Sequence, residues 1–132
     1  MNELRATVKN IEQVDDLNLV EFEFNETTLT MMSLHLKDVF VGVKVVLSVN
    51  SSHVMLAKSY DKNMSVSNAF EAKIVDIEYG QLLTAIKVLS GESVISSITT
   101  TKLAKKLDFK VDDKVSVLIK ASQLAIKEVL ND

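Results

Sequence analysis

The sequence predicts an all-β chain of two tandem small barrels, each with about five strands and one short helix or turn. Three observations carry this expectation. The chain repeats itself once, its apolar residues recur mostly at every second position, and a single segment has helical spacing. The repeat is visible when NELRATVKNIE from Asn2 is set beneath NAFEAKIVDIE from Asn68. This pairs Asn2 with Asn68, Leu4 with Phe70, Ala6 with Ala72, Val8 with Ile74 and Ile11 with Ile77. Further along, Val45, Leu47, Val49, Ser52 and Val54 pair with Val115, Val117, Ile119, Ser122 and Leu124. The offset between copies is 66 residues at Asn2 and 70 at Val45, so the first copy lacks about four residues between Met32 and Val39. Polar residues KSYDKNMSV, which carry little apolar periodicity, separate a first barrel at 1–60 from a second at 65–132.

Period-two alternation marks strands with one buried face: Leu4, Ala6, Val8; Val20, Phe22, Phe24; Val43, Val45, Leu47, Val49. The second copy repeats it in Phe70, Ala72, Ile74, in the run from Ala85 to Leu89, and in Val115, Val117, Ile119. The helical segment starts at Thr100, where Leu103 and Leu107 share a face, a threonine caps the start and lysines suit the C-terminal end of the dipole. The shortened counterpart in the first copy has room for a turn at most. Five strands in so few residues hide their edges only by closure or by a partner.

Composition narrows the function. Zero Cys excludes disulfides, thiolate metal sites and a Cys nucleophile, and two histidines, His35 and His53, do not make a zinc site. With three glycines there is no phosphate-binding loop, and no nucleophile elbow is present, so the chain reads as a non-enzyme. No apolar run reaches the roughly 20 residues of a membrane span, and the start MNELRATVKN lacks a signal-peptide core; the expectation is a cytoplasmic protein without a membrane partner. A net charge of −3, and aromatics such as Phe22, Phe24, Phe70 and Phe109 on apolar-periodic positions, argue against nucleic acid.

The stretch N-A-F-E-A-K-I-V-D-I-E from Asn68, then V-I-S-S-I-T-T, then K-L-D-F-K-V-D-D-K-V-S-V-L-I-K-A-S, resembles the molybdenum-pterin-binding (Mop), or TOBE, domain family. Two copies in one short chain resemble the di-domain molbindins. The likeness is strong over 65–126 and weaker over 2–57. It implies an OB-like barrel that binds molybdate or tungstate at subunit interfaces, with a homotrimer as the favoured assembly and no covalent cofactor. Carried over residue by residue, Lys120, Ala121 and Ser122 match the anion-contacting Ile-Lys-Ala-Ser segment, Thr100 a hydroxyl donor before the helix, and Ser65, Ser67 and Asn68 the opening motif. Weaker first-copy candidates are Asn2, Ser33, Asn50, Ser51 and Ser52. Departures matter: Ser67 stands where the family has Arg, Ala72 and Ala6 where it has Gly, Leu103 where it has Ser, and Asn50 where Lys is expected.

Elementary chemistry fits that implication. A tetrahedral dianion offers only acceptor oxygens, so a selective site surrounds it with N–H and O–H donors. Thirteen Ser and eight Thr, and a helix start near Thr100 with unpaired N–H groups, supply them. Residues 1–60 hold 5 basic and 8 acidic groups and residues 61–132 hold 10 of each, which makes the second copy the better anion host.

Without the family likeness, the same residues have simpler readings. Thr99–Thr101 close a strand and cap a helix, Lys120 is a solvated face residue, and Ser51, Ser52 and Ser122 are turn residues. His35 and His53 read as structural or surface, Met31 and Met32 as core or interface filler, and Asp15-Asp16 and Asp112-Asp113 as turns. Two function classes follow. The first is a cytoplasmic molybdate or tungstate binding protein for molybdenum storage or homeostasis. The second is a tandem interaction or sensing module acting in trans on a transporter ATPase or regulator, without tight anion binding.

Overall fold

The structure, a computed structural model, describes residues 1–130. Ten strands, one helix and two 3-10 turns follow in order: β1 (Asn2–Val14), β2 (Leu17–Phe24), β3 (Thr27–Leu34), β4 (Lys44–Val49), the turn Ser51–His53, β5 (Met55–Ala57), β6 (Asn68–Tyr79), β7 (Leu83–Ser90), β8 (Ser93–Thr100), α1 (Thr101–Leu107), β9 (Lys114–Ile119), the turn Ala121–Gln123 and β10 (Ala125–Leu130). The expected all-β architecture is thus the one adopted. As expected, the first repeat has no helix where it is shortened; loop residues there include His35 and Asp38 at positive φ.

Local chemistry explains the elements. In β2, Asn18, Val20, Phe22 and Phe24 are buried and their neighbours are not, which is the alternation of a strand with one face on a core. Asn25 and Glu26, at φ 45° and 66°, form the two-residue turn between β2 and β3, where two positive φ values match the twist of the strands. Asp112 takes φ 77°, which an aspartate tolerates, and its N–H bonds Ile74 O at 2.8 Å. β1 and β6 each carry a bulge, between Val8 and Asn10 and between Ile74 and Asp76, at equivalent positions of the repeat. A bulge bends its strand and raises the local twist, which curls each sheet.

The sheet order is β10-β4-β1-β2-β3 in one sheet and β5-β9-β6-β7-β8 in the other. The short strand after each 3-10 turn therefore lies in the other repeat's sheet: Met55–Ala57 pairs with β9, and Ala125–Leu130 with β4. Apart from these exchanged strands, one sheet holds β1 to β4 and the other β6 to β9. Side chains of both repeats merge into one buried cluster running from Leu4 to Leu124. Within it Phe24 meets Phe70 edge to face at 5.7 Å, an arrangement worth about 0.5–1.5 kcal/mol beyond area burial. At the surface the two equivalent hairpin tips also touch, Asn25 Nδ2 donating to Ser90 O at 2.8 Å beside Gly91.

Candidate functional site

The exchange of strands brings each 3-10 turn against an edge strand of the other repeat. Ser51–His53 packs on β8, and Ala121–Gln123 packs on β3. Two quasi-equivalent clusters result. The first gathers Asn2, Asn50, Ser51 and Ser52 around Ser96–Thr99; the second gathers Asn68, Lys120, Ala121 and Ser122 beside Thr30–Ser33. Beside each lies a groove along the seam between edge strands. One, of about 200 Å³, is lined by Val54, Ile98 and Thr99 and closed by Leu103 and Leu107 of α1 and by Phe109 just beyond it. The other, of about 510 Å³, has only the shortened loop with His35, Leu36 and Val39 to cover it.

The clusters differ in how their donors are used. In the first, Asn50 Oδ1 accepts from both Ser52 N and Ser52 Oγ at 2.9 Å, so both Ser52 donors are taken up within the turn. In the second, Lys120 stands in the same place, exposed, and makes no capping bond. Ser122 is exposed and Ala121 half-buried beside it. The Lys-to-Asn difference read from the repeat therefore does two things: it removes a cation, and it supplies an internal oxygen that takes the donors an external anion would need.

Other candidates fall elsewhere. The side chains of Asn68 and Asn2 are buried and fully engaged with backbone of the other repeat: Asn68 bonds Thr30 N at 2.6 Å and Thr30 O at 2.9 Å, and Asn2 bonds Ser96 N at 2.8 Å and Ser96 O at 2.9 Å. Ser65 and Ser67 are exposed in the segment before β6, and Ser33 Oγ donates to Leu34 O at 3.3 Å. Thr100 caps α1, its Oγ1 accepting from Leu103 N at 3.3 Å. Because Thr101 N also donates to Leu82 O at 2.9 Å, the helix start does not present the open set of N–H groups expected of it. Thr100 pairs with Leu83, near the C-terminal end of β6, whereas Lys120 follows Ile119, which pairs with Asn68 at its N-terminal end. Within one chain Thr100 and Lys120 do not converge.

Reading from sequence missed the partners that cross between repeats. Ser97 Oγ donates to Val54 O at 2.6 Å, tying β8 to the first repeat's turn, and Thr30 and Ser96 receive the two asparagines. Their one signal was equivalence in the repeat, Thr30 with Ser96, as Asn2 with Asn68. Met31 is core while Met32 is exposed. Among the described residues no group of three or more His, Cys, Asp or Glu side chains is placed to hold a metal ion, and no helix is long and apolar enough to cross a membrane. The hydrogen bond from Lys127 to Glu3, followed by their charge attraction, holds the Glu3 carboxyl below its ordinary range and Lys127 above its own. The pair fastens the exchanged strand β10 rather than serving either cluster.

Residues 64–126 match the TOBE domain family model. No curated protein matches the chain in sequence. Among solved structures, a crystal form of the cytoplasmic molybdate-binding protein ModG with molybdate bound is similar with a TM-score of 0.87 and 22% identity, over 95% of this chain and 94% of that one.

Proposed function

We propose that this chain, whose residues 64–126 match the TOBE domain family, is a Mop/TOBE protein that binds a tetrahedral oxyanion, molybdate or tungstate, in the cytoplasm as a storage or homeostasis protein. It is a binding module rather than an enzyme, in keeping with the TOBE match and the similarity to a molybdate-binding protein. The observation that carries the reading is the turn Lys120-Ala121-Ser122. There a cation without a capping bond and a hydroxyl stand exposed beside an edge strand of the other repeat, while the equivalent first-repeat turn is closed by its own asparagine.

Lys120 gives a charge-assisted bond, the stronger kind for an acceptor-only ligand, and Ser122 and backbone N–H groups add neutral donors. Thr100 joins the site only from a neighbouring chain, because within one chain it sits toward the other end of β6. An assembly, with a homotrimer as our reading, also fits the apolar outer faces. Leu17 pairs with Leu34 and Leu19 with Met32 in the first repeat, all four exposed, and Leu83 and Ile98 are exposed at equivalent places in the second. Faces of this kind mark protein interfaces.

Thermal unfolding followed with molybdate, tungstate and sulfate is the test. A ligand that binds only the native assembly raises the melting temperature in proportion to the logarithm of its concentration above Kd. A rise with molybdate or tungstate exceeding that with sulfate supports the reading. No rise with either at millimolar concentration replaces it with the interaction-module reading.

A further inference from the structure

Asn68 and Asn2 are both enclosed beside the two clusters, Asn68 being wholly buried and Asn2 7% exposed. A carboxamide has the donor and acceptor of a peptide group, so each asparagine acts as one residue of an absent strand, pairing with both N–H and C=O of a residue on the other repeat's edge. The two clamps are equivalent by the repeat but guard different turns. Asn68 pairs with Ile119, the residue before Lys120, and grips Thr30 on the strand that faces Ala121–Gln123. Asn2 pairs with Val49, the residue before Asn50, and grips Ser96 on the strand that faces Ser51–His53.

We propose that Asn68 is a positioning residue for oxyanion binding: by clamping Thr30 it fixes the spacing between β3 and the Lys120–Ser122 turn, and it does not touch the ligand. This rests on the reading of Lys120–Ser122 as the site. The repeat supplies the control, because Asn2→Ala removes the equivalent pair of backbone bonds, and with them a long bond at 3.5 Å to Ser51 Oγ, beside the turn whose Ser52 donors Asn50 already takes. Both variants lose a clamp; one of them disturbs the site.

The experiment compares Asn68→Ala and Asn2→Ala in the full chain by melting temperature, by hydrogen exchange at the Thr30 and Ser96 amides, and by calorimetric titration with molybdate. Expected are similar falls in melting temperature, loss of protection at the clamped amide in each variant, and a Kd weakened about tenfold or more in Asn68→Ala with little change in Asn2→Ala. Equal weakening in both variants, or wild-type affinity in Asn68→Ala with Thr30 unprotected, overturns the proposal. If Asn68→Ala does not fold, Asn68→Asp, which keeps the acceptor for Thr30 N–H and loses the donor to Thr30 O, carries the same comparison. Absence of molybdate binding by the unmodified protein refutes the functional reading itself, and the positioning role falls with it; molybdate binding with unequal loss in neither variant refutes the positioning role alone.

Discussion

Exchanging the residues that differ between the two turns is the sharpest perturbation of the site. Lys120→Asn removes the only cation on the Ala121–Gln123 turn and places there a carboxamide that, in the first repeat, takes both Ser52 donors at 2.9 Å. A hydrogen bond to a charged group is worth about 1.5–3 kcal/mol, so molybdate affinity should fall about tenfold to a hundredfold from the charge alone. The reciprocal change, Asn50→Lys, frees Ser52 N–H and O–H and adds the missing cation. It also costs the exposed cap, about 0.5–2 kcal/mol of stability. Calorimetric titration of both variants and the unmodified chain with molybdate reads each effect as an affinity and a stoichiometry. The expected outcome is loss in Lys120→Asn and an additional set of sites in Asn50→Lys. Unchanged affinity in Lys120→Asn would refute the reasoning, since the variant loses the cation and gains the acceptor that closes the first-repeat turn.

Further outcomes follow from the fold. Phe24→Ala, which opens a cavity in the shared core and breaks the contact with Phe70, should cost about 3–5 kcal/mol and leave a single calorimetric transition, because the exchanged strands and merged core join the repeats; two separated transitions would contradict this. Gly91→Ala places a Cβ 3.0 Å from Asn25 Nδ2 at φ 59° and should destabilise by about 1–2 kcal/mol in urea unfolding, weakening the contact between hairpin tips. Glu3 is held below its ordinary pKa by Lys127, so the stability this pair lends is present at neutral pH and lost as pH falls through the folded value; Lys127→Ala should flatten the acid side of the melting profile at low salt, with the difference shrinking in high salt because both groups are exposed.

Much of the architecture was legible because its causes are local. Alternation at Val20, Phe22 and Phe24 marks a strand in any context, Thr100 before an i,i+4 apolar pair marks a helix start, and the four missing residues announce the absent helix in the first repeat. The exchange of β5 and β10 was not legible. Met55–Ala57 and Ala125–Leu130 have nearly the same neighbours in sequence, and β4 and β9 offer similar apolar edges, so no period tells pairing within a repeat from pairing across it. The asparagine clamps failed for the same reason. The repeat singled out Asn2 and Asn68, but their partners Ser96 and Thr30 lie 94 and 38 residues away along the chain, and no local period points to either. The turn residues Lys120 and Asn50 were legible as a pair; that Asn50 takes the Ser52 donors depends on the turn's folded geometry, which no residue pattern carries.

The central claim is tested most directly by locating the ligand. Crystals grown with tungstate, measured at the tungsten absorption edge, should show anomalous density within hydrogen-bond reach of Lys120 Nζ and Ser122, and none at the Asn50–Ser52 turn. Density at Asn50–Ser52 with none at Lys120, or none at either turn in crystals of the folded protein at millimolar tungstate, would contradict the account.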